Sequence, residues 1–423
     1  MLNMLPMRRL LYCGDNLEII RNYLEDQSVD LIYLDPPFNS NSTYHFNAPG
    51  ATAATSKIAK VFSDHWRWDV KTEEKFLEIA SSASTLKVGR TLSLLRELIG
   101  NDHHLSYLLY LALRLMEFHR VLKMGGSLYL HCDPNTSHYL KIILDSIFGL
   151  RNYRGEINWR RAGAHSNGRQ GRRQYEQVRD VLLFYTRGDG WTWSGQFTPY
   201  EERYIANYYR QIEPETGRRY RMDNLTAARS GGDTLYDWPV KRSEETNQWE
   251  ADLDDEWRAP KPGWTYQNAR PYRSRFWAYS RERMTEFERQ GRLVYSRSGM
   301  PSYKRYLDEM PGVPLQNDWQ DISPVRGNQH LGFPTQKPFD LLERIVLSSS
   351  QEGDVILDPF CGSGTTLHVA EKLSRQWIGI DKSPLAIECV ARRLRGVFPF
   401  VTWSVIDVTK IEQKSERDSE EEN

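Results

Sequence analysis

The chain has 423 residues, with 56 Lys and Arg against 56 Asp and Glu, so its formal net charge at pH 7 is zero. This length excludes a small scaffold stapled by disulfides or a metal, and the balanced charge identifies no partner by itself. The four cysteines are widely separated and form no Cys-x-x-Cys pair, which argues against a zinc ribbon and favours a reducing cytoplasm. Because no apolar stretch is long enough to span a bilayer and the first residues lack a signal-peptide core, we expect a soluble cytoplasmic protein without a membrane segment.

The first 150 residues alternate between strand-like and helix-like segments. Apolar runs and helix-ending glycines predict a strand-like segment at 10–15, strands at 29–34 and 127–132, and helices at 16–24, 105–122 and up to 144. The polar, weakly patterned stretch 39–101 indicates a flap followed by one or two added helices. This first part of the chain therefore predicts half of an α/β domain.

The second of these strands runs into the turn Asp35-Pro36-Pro37-Phe38. The two prolines fix their φ angles and have no N–H group, so the turn cannot coil into a helix and its carbonyl groups stay free to accept hydrogen bonds. A carboxylate, free carbonyls and a flat ring in one turn suit the binding of a substrate amino group. The competing interpretation is a proline turn with only a structural role.

The character of the sequence changes at about residue 151. Nine arginines stand against four acidic residues between 151 and 190, and aromatic residues are interleaved with them. Aromatic and basic side chains together favour nucleic-acid binding, whereas a solvated basic surface is the alternative. The arginines that we predict to contact DNA are Arg160, Arg161, Arg169, Arg172 and Arg173. The region continues to about 325 with many Gly, Pro, Tyr and Trp residues and little periodicity, which indicates a separate, loop-rich domain.

The α/β pattern resumes after this region. It predicts helices at 338–349, 365–373 and 384–395, strands at 354–358 and 376–381, and a last strand at 401–405. Residues 410–423 are charged and nearly devoid of apolar groups, so we expect a disordered tail. His103, His104, His119 and His131 show no metal-ligand spacing, and no metal is predicted.

A glycine-bearing turn, DPFCGSGTT, joins a strand to a helix at 358–366. Gly362 and Gly364 allow the backbone to approach a ligand closely, and Asp381, at the end of the next strand, is well placed to bind ribose hydroxyls. A dinucleotide site is less favoured because Leu367 occupies the position of the third glycine. S-adenosylmethionine has no phosphate and fits this shorter turn, with Asp358 available for its ammonium group and Phe360 for packing.

The DPPF turn and the DPFCGSGTT turn together resemble the amino-methyltransferases that modify adenine N6 or cytosine N4 in DNA. The catalytic turn precedes the basic domain and the cofactor turn comes last, as in the β group of these enzymes. The resemblance covers residues 9–190 and 326–400. It implies an α/β fold with a doubly wound, mostly parallel, seven-stranded Rossmann-like methyltransferase sheet and an inserted loop-rich target-recognition domain.

The resemblance also implies roles for individual residues. Asp35 and the Pro36 carbonyl would accept hydrogen bonds from the target amino group, Pro37 would shape the turn, and Phe38 would stack on an extruded base. Residues expected at the S-adenosylmethionine site are Asp15, Thr335, Gln336, Lys337, Asp358, Pro359, Phe360, Gly362, Ser363, Gly364, Thr365 and Asp381.

The domain boundaries implied are 1–150 and 326–409 for the two halves of the methyltransferase domain, and 151–325 for target recognition, with the part up to about 190 able to pack on the catalytic sheet. Adenine N6 is the preferred target because the turn begins with Asp35, where cytosine N4 enzymes of this group more often carry Ser. The alternatives are cytosine N4 methylation, RNA guanine methylation and a non-catalytic DNA-binding module. Double-stranded DNA is the expected partner, and the sequence leaves open a homodimer and a cognate restriction endonuclease, in a restriction-modification system or as a solitary enzyme.

Overall fold

The computed structural model of the protein describes residues 9–46, 59–162, 175, 177–253, 260–325 and 330–408. The chain divides into two compact units. The first comprises Met1–Gln196 with Gln316–Asn423, and the second comprises Phe197–Leu315. None of the helices in the described ranges is long and apolar enough to cross a membrane.

The first unit begins with seven strands and five helices among the described residues. The strands are β1 (Arg9–Cys13), β2 (Val29–Leu34), β3 (Thr43–Phe46), β4 (Ala59–Ser63), β5 (Leu122–Cys132), β6 (Tyr153–Arg160) and β7 (Arg179–Thr186). The helices are α1 (Asn16–Tyr23), α2 (Val70–Ser81), α3 (Leu86–Ile99), α4 (His103–Val121) and α5 (Ser137–Phe148). Asp15, Asp69 and Asp102 cap α1, α2 and α4 by accepting hydrogen bonds from first-turn N–H groups, which explains where these helices begin.

The second unit contains short strands and two helices. They are β8 (Phe197–Thr198), α6 (Glu202–Tyr208), β9 (Gln211–Ile212), β10 (Arg219–Asn224), β11 (Thr226–Ala227), β12 (Trp238–Ser243), β13 (Trp249–Ala251), β14 (Trp264–Ala269), β15 (Phe276–Trp277), α7 (Arg281–Arg289), β16 (Leu293–Tyr295), β17 (Pro301–Tyr306) and β18 (Val313–Pro314). A four-stranded sheet, β16-β17-β10-β9, and a three-stranded sheet, β13-β12-β14, are the largest assemblies. Trp238, Trp277 and Met284 are buried in its core, so several aromatic residues of this unit are structural.

The chain then returns to the first unit with the remaining elements. They are β19 (Asp318–Trp319), α8 (Phe339–Ser349), β20 (Val355–Asp358), α9 (Thr365–Lys372), β21 (Gln376–Asp381), α10 (Pro384–Val397) and β22 (Ser404–Asp407). The predicted tail, 410–423, lies outside the described residues.

One large sheet organises the first unit, in the order β19-β6-β7-β5-β2-β20-β21-β1-β22. β7 pairs antiparallel with both neighbours, and the other pairings are parallel. The predicted doubly wound, mostly parallel fold is confirmed. Seven strands from β6 to β1 form the expected sheet, and the short strands β19 and β22 extend its two edges within the described residues.

The target-recognition region expected at 151–325 includes a first part, up to about 190, that is able to pack on the catalytic sheet. In the structure β6 pairs with β7, and β7 pairs with β5, so both are strands of the large sheet. The second compact unit covers Phe197–Leu315.

The strand order places both predicted turns side by side, at the carboxyl ends of two central strands. β2 and β20 are neighbours although far apart in the chain, with Leu31 opposite Ile356 and Ile32 opposite Leu357. Both strands are almost fully buried, as expected for central parallel strands covered by helices on both faces. Ligands of such sheets bind beyond the carboxyl ends of the strands, where the chain connections diverge.

Candidate active site

A cavity of about 380 Å³ lies at the carboxyl ends of β1, β2, β20 and β21. Fifteen of the sixteen residues predicted for catalysis and cofactor binding line it. They are Asp15, Asp35, Pro36, Pro37, Phe38, Thr335, Gln336, Lys337, Asp358, Pro359, Phe360, Gly362, Ser363, Thr365 and Asp381. The exception is Gly364.

The carboxylate of the DPPF turn is paired with a lysine from a distant segment. Lys337 Nζ lies 2.6 Å from Asp35 Oδ1 and 2.5 Å from Oδ2. Its ammonium group is also 5.2 Å from the centre of the Phe38 ring. The acceptor group and the aromatic ring of the turn therefore share one cation.

The loop that follows Phe38 is held by Asp64, which is fully buried. Asp64 accepts hydrogen bonds from the backbone N–H groups of Asn39 and Ser40, at 3.1 and 2.6 Å, and from the Trp66 indole at 2.7 Å. Asn39 adopts a left-handed φ of 58°, and its side-chain amide has no partner among the described residues. Asp64 was not predicted, and the local sequence around it carries no signal of this contact.

A buried polar chain lies behind the turn. His131, which is fully buried, places Nδ1 2.9 Å from the Tyr33 hydroxyl and Nε2 3.1 Å from Asp180 Oδ2. Because a carboxylate only accepts hydrogen bonds, the Nε2–H group donates to Asp180, and in a neutral imidazole Nδ1 then accepts from the Tyr33 hydroxyl, whose pKa is raised by burial. The His131 ring is 5.6 Å from the Phe38 ring, and this network supports the wall of the cavity.

Two carboxyl groups lie beside the cavity, one at the start of the glycine turn and one at the end of β21. Asp358 is buried and accepts a hydrogen bond of 3.1 Å from the Phe360 N–H, and burial raises the pKa of Asp358 to about 7. Asp381 accepts from the N–H groups of Gly362 and Ser383 at 2.9 and 2.8 Å, and burial raises the pKa of Asp381 to about 6. In the described part of the chain neither carboxylate has an ion-pair partner, so the pair suits a positively charged ligand.

The two glycines of this turn have different surroundings. Gly362 lines the cavity with a φ of 46°, whereas Gly364 begins α9 with a φ of 76°. A Cβ atom at Gly364 would lie 2.8 Å from Val390 Cγ2, so the absence of a side chain there allows α10 to approach. α9 packs closely against β21 at Gly379, where a Cβ atom would lie 2.6 Å from the Leu367 side chain.

Asp15, which follows β1, belongs to a hydrogen-bond network that reaches the glycine turn. Its carboxylate caps α1 and accepts two hydrogen bonds from Arg114 Nη2, at 2.9 and 3.0 Å. Arg114 also donates to Asn16, which donates to the Pro359 carbonyl at 2.8 Å. The Arg114 guanidinium lies 3.4 Å from the centre of the Tyr110 ring, which lines the cavity. Neither Arg114 nor Asn16 was predicted as part of the site.

A family model of DNA methylases matches residues 29–392, which include both turns. The chain belongs to the N6/N4 DNA methylase family. The predicted resemblance is therefore confirmed. The family uses S-adenosylmethionine, so the predicted cofactor is also confirmed at the level of the family.

Two relatives of this DNA methylase are a type II methyltransferase and a subunit of a type III restriction-modification enzyme. The chain is 25% identical over 385 residues to the type II methyltransferase M.EcaI of Enterobacter cloacae, covering 90% of this chain and 68% of that protein. It is 24% identical over 387 residues to the StyLTI Mod subunit, from a type III restriction-modification enzyme of Salmonella typhimurium strain LT2. That match covers 87% of this chain and 50% of the subunit, so the chain spans about half the length of this relative.

Solved structures of methyltransferases resemble this DNA methylase at low identity. The crystal structure of the M1.HpyAVI complex with S-adenosylmethionine matches with 13% identity and a TM-score of 0.39, covering 91% of this chain and 99% of that one. The cytosine-N4-specific PvuII DNA methyltransferase matches with 12% identity and a TM-score of 0.42, covering 95% of this chain and 96% of that one.

The predicted DNA-contacting arginines of the methylase are only partly described. Arg160 ends β6 and is exposed. Arg161 Nε lies 3.2 Å from Asp180 Oδ1, so this arginine neutralises the polar chain behind the DPPF turn. Arg169, Arg172 and Arg173 lie outside the described residues.

One group in the described ranges has the spacing of a metal site, although the sequence showed no such spacing. Ligand atoms of Asp102, His103 and His104 lie within 4.8 Å of one another at the start of α4. Asp102 already caps the helix through the N–H groups of His104 and Leu105. This arrangement is explained by helix capping and lies outside the residues that line the cavity.

Proposed function

We propose that this DNA methylase transfers the methyl group of S-adenosylmethionine to the N6 amino group of adenine at specific sites in double-stranded DNA. The observation that carries the proposal is that the Asp35 carboxylate and the Phe38 ring line the same cavity as Asp358, Gly362 and Asp381. An acceptor for an amino group therefore lies beside a site suited to a cationic nucleoside.

The residues of the cavity fit the cofactor chemically. At Gly362 the backbone of the turn at 358–364 borders the cavity without a side chain, so a ligand can approach it closely. The carboxyl groups of Asp358 and Asp381 have no counter-ion within the described residues, which suits a ligand with a net positive charge. We assign the methionine end to Asp358 and the ribose to Asp381, with Asp15 and Tyr110 on the adenine side. When bound, S-adenosylmethionine supplies a methyl group whose bond to sulfur breaks, with the electron pair remaining on sulfur.

Asp35 and the Pro36 carbonyl act on the nucleophile. An exocyclic amino group shares its lone pair with the ring, so it is a weak nucleophile until acceptors draw its hydrogens out of the ring plane. These acceptors also stabilise the positive charge that develops on nitrogen as the new N–C bond forms. The methylated nitrogen then loses one proton, which Asp35 accepts or passes to water.

Phe38 accounts for how the base is held. A target amino group inside a duplex is inaccessible, so the nucleotide must be extruded before methyl transfer. A ring beside the acceptors gives the extruded base a stacking surface worth about 1–3 kcal/mol. Alignment of nitrogen, methyl carbon and sulfur supplies much of the remaining rate enhancement.

The choice of adenine rests on Asp35 at the first position of the turn. DNA incubated with the protein and S-adenosylmethionine is digested to nucleosides and analysed by mass spectrometry. We expect N6-methyladenine, and N4-methylcytosine alone would overturn the choice of base. Sequencing of the same DNA by a method sensitive to methylation would identify the recognition site.

Duplex DNA as the substrate is tested through the basic region. If the predicted arginines contact phosphates, binding weakens as salt increases, with a slope of about 0.9 per contact. Replacing Arg172 and Arg173 together by alanine should reduce this slope by about two. An unchanged slope would remove these residues from the proposed interface. A restriction-modification context, a homodimer, a nuclease partner and a cytoplasmic location stay predictions.

A further inference from the structure

Lys337 occupies an unusual position for a residue predicted to line a cofactor pocket. Its side chain is only 10% exposed, and that of Asp35 is 16% exposed, so the pair is largely removed from water. The ammonium group contacts both oxygens of the carboxylate. Lys337 arrives from the segment before α8, directly after Pro334, Thr335 and Gln336 at the cavity wall.

The two carboxylate oxygens that Lys337 engages are those assigned to the target amino group. The ammonium group also lies over the Phe38 ring, 5.2 Å from its centre. A base stacked on Phe38 would bring its amino group into the same small space. The lysine and the target amine are both N–H donors directed at the same two carboxylate oxygens, so they compete for this acceptor.

We propose that Lys337 is a displaceable counter-ion that holds the acceptor position at Asp35 in the empty site and yields it to the amino group of the extruded base. This inference rests on the proposed function. It assigns Lys337 to target binding and to discrimination between occupied and empty sites, in place of a role confined to the cofactor pocket.

The charges around the turn explain why the empty site needs a cation. Asp35 shares the cavity with the carboxyl groups of Asp358 and Asp381, and the lysines among the described residues that line it are Lys337 and Lys382. Burial raises the pKa of Asp358 to about 7, and the charge of Asp35 adds to that effect. Lys337 places its ammonium group against both oxygens of Asp35 beside this second carboxyl group, and the incoming base takes over an acceptor that this contact has held in place.

The exchange is tested by a binding cycle that requires no turnover. Wild-type protein and Lys337→Met are each titrated with two duplexes in saturating S-adenosylhomocysteine. One duplex carries the natural target base, and the other carries the same base without its exocyclic amino group. In wild-type protein the target amino group forms a hydrogen bond with Asp35 while Lys337 gives up its own contact with that carboxylate. The affinities for the natural and the amine-free duplex should therefore agree within about threefold. In Lys337→Met the natural duplex should bind about tenfold more tightly than the amine-free duplex, since a charge-assisted hydrogen bond forms without displacing another.

Matched variants separate this effect from a general loss of charge. Lys382 also lines the cavity but is exposed, and Lys382→Met should retain the wild-type ratio. Lys337→Arg keeps a cation and should also retain it. If Lys337→Met does not fold, Lys337→Leu supplies a neutral side chain that likewise has no N–H donor.

The outcomes distinguish the two proposals. If wild-type protein does not methylate the natural duplex, the proposed function fails. If it methylates that duplex but the neutral Lys337 variant shows the same affinity ratio as wild type, the counter-ion role is overturned. A tenfold preference that appears only in the neutral Lys337 variants supports it.

Discussion

The affinity of the protein for S-adenosylmethionine should increase with pH between 6 and 7. Burial raises the pKa of Asp358 to about 7 and that of Asp381 to about 6. In the empty protein both groups are therefore partly protonated in this range. A cationic ligand binds the ionised forms, so binding releases protons, and a lower pH opposes it.

The magnitude follows from the two pKa values. Asp358 is ionised to about one half at pH 7 and about one tenth at pH 6, and Asp381 to about nine tenths and one half. The fraction with both groups ionised falls about tenfold, and the dissociation constant should rise by the same factor. The ligand's ammonium group stays charged in this interval.

Calorimetric titration at several pH values measures this change directly. Buffers with different ionisation enthalpies should also reveal release of about 0.6 proton per ligand at pH 7. Asp358→Asn should bind more weakly, and its affinity should change only about twofold between pH 7 and 6, because Asp381 alone then titrates. An affinity that is constant, or that decreases as pH rises, would refute the assignment of these carboxyl groups to the cofactor.

Three further substitutions test the site and its support. Asp35→Ala should lower the rate of methyl transfer by about 100-fold or more, measured by mass spectrometry of the product, while the affinity for the cofactor, measured by calorimetry, stays within about twofold of wild type. Full activity of this variant would contradict the proposed role of the turn. Asp64→Ala leaves several N–H donors without their buried acceptor and should lower the free energy of unfolding by about 2–5 kcal/mol in urea denaturation. Gly364→Ala should lower the free energy of unfolding by at least about 1 kcal/mol, because its φ is 76° and the new Cβ atom meets the neighbouring helix. Gly396→Ala, with open space around the new Cβ atom, is the control and should not destabilise the protein. Equal stabilities of the two variants would count against this packing.

The local pattern of the sequence was sufficient for the elements that carry the site. Apolar runs leading to Asp35, Asp358 and Asp381 predicted strands, and each of these three aspartates lines the cavity. This works because central parallel strands are continuous apolar runs, and a proline or glycine turn marks the end at which a ligand binds. The motifs and their order were also sufficient to indicate the family.

Contacts between distant segments could not be obtained in this way. Lys337 pairs with Asp35, and Arg114 pairs with Asp15, across long stretches of chain. No local periodicity shows which cation will meet which carboxylate, because that depends on the order of strands in the sheet. The same applies to residues 153–160 and 179–186, which the sequence assigned to a basic region able to pack on the catalytic sheet, whereas their pairing with each other and with β5 is visible only in the fold.

The sequence by itself determined the family, the cofactor class and the two turns, since each depends on residue types that are close together in the chain. The tertiary structure decided how those turns are charged and supported. It placed Lys337 on the acceptor carboxylate and buried Asp64 and His131 behind the turn. The physical reason is that the charge state and rigidity of a buried group are set by its neighbours in space, and β2 and β20 bring those neighbours together only in the folded sheet.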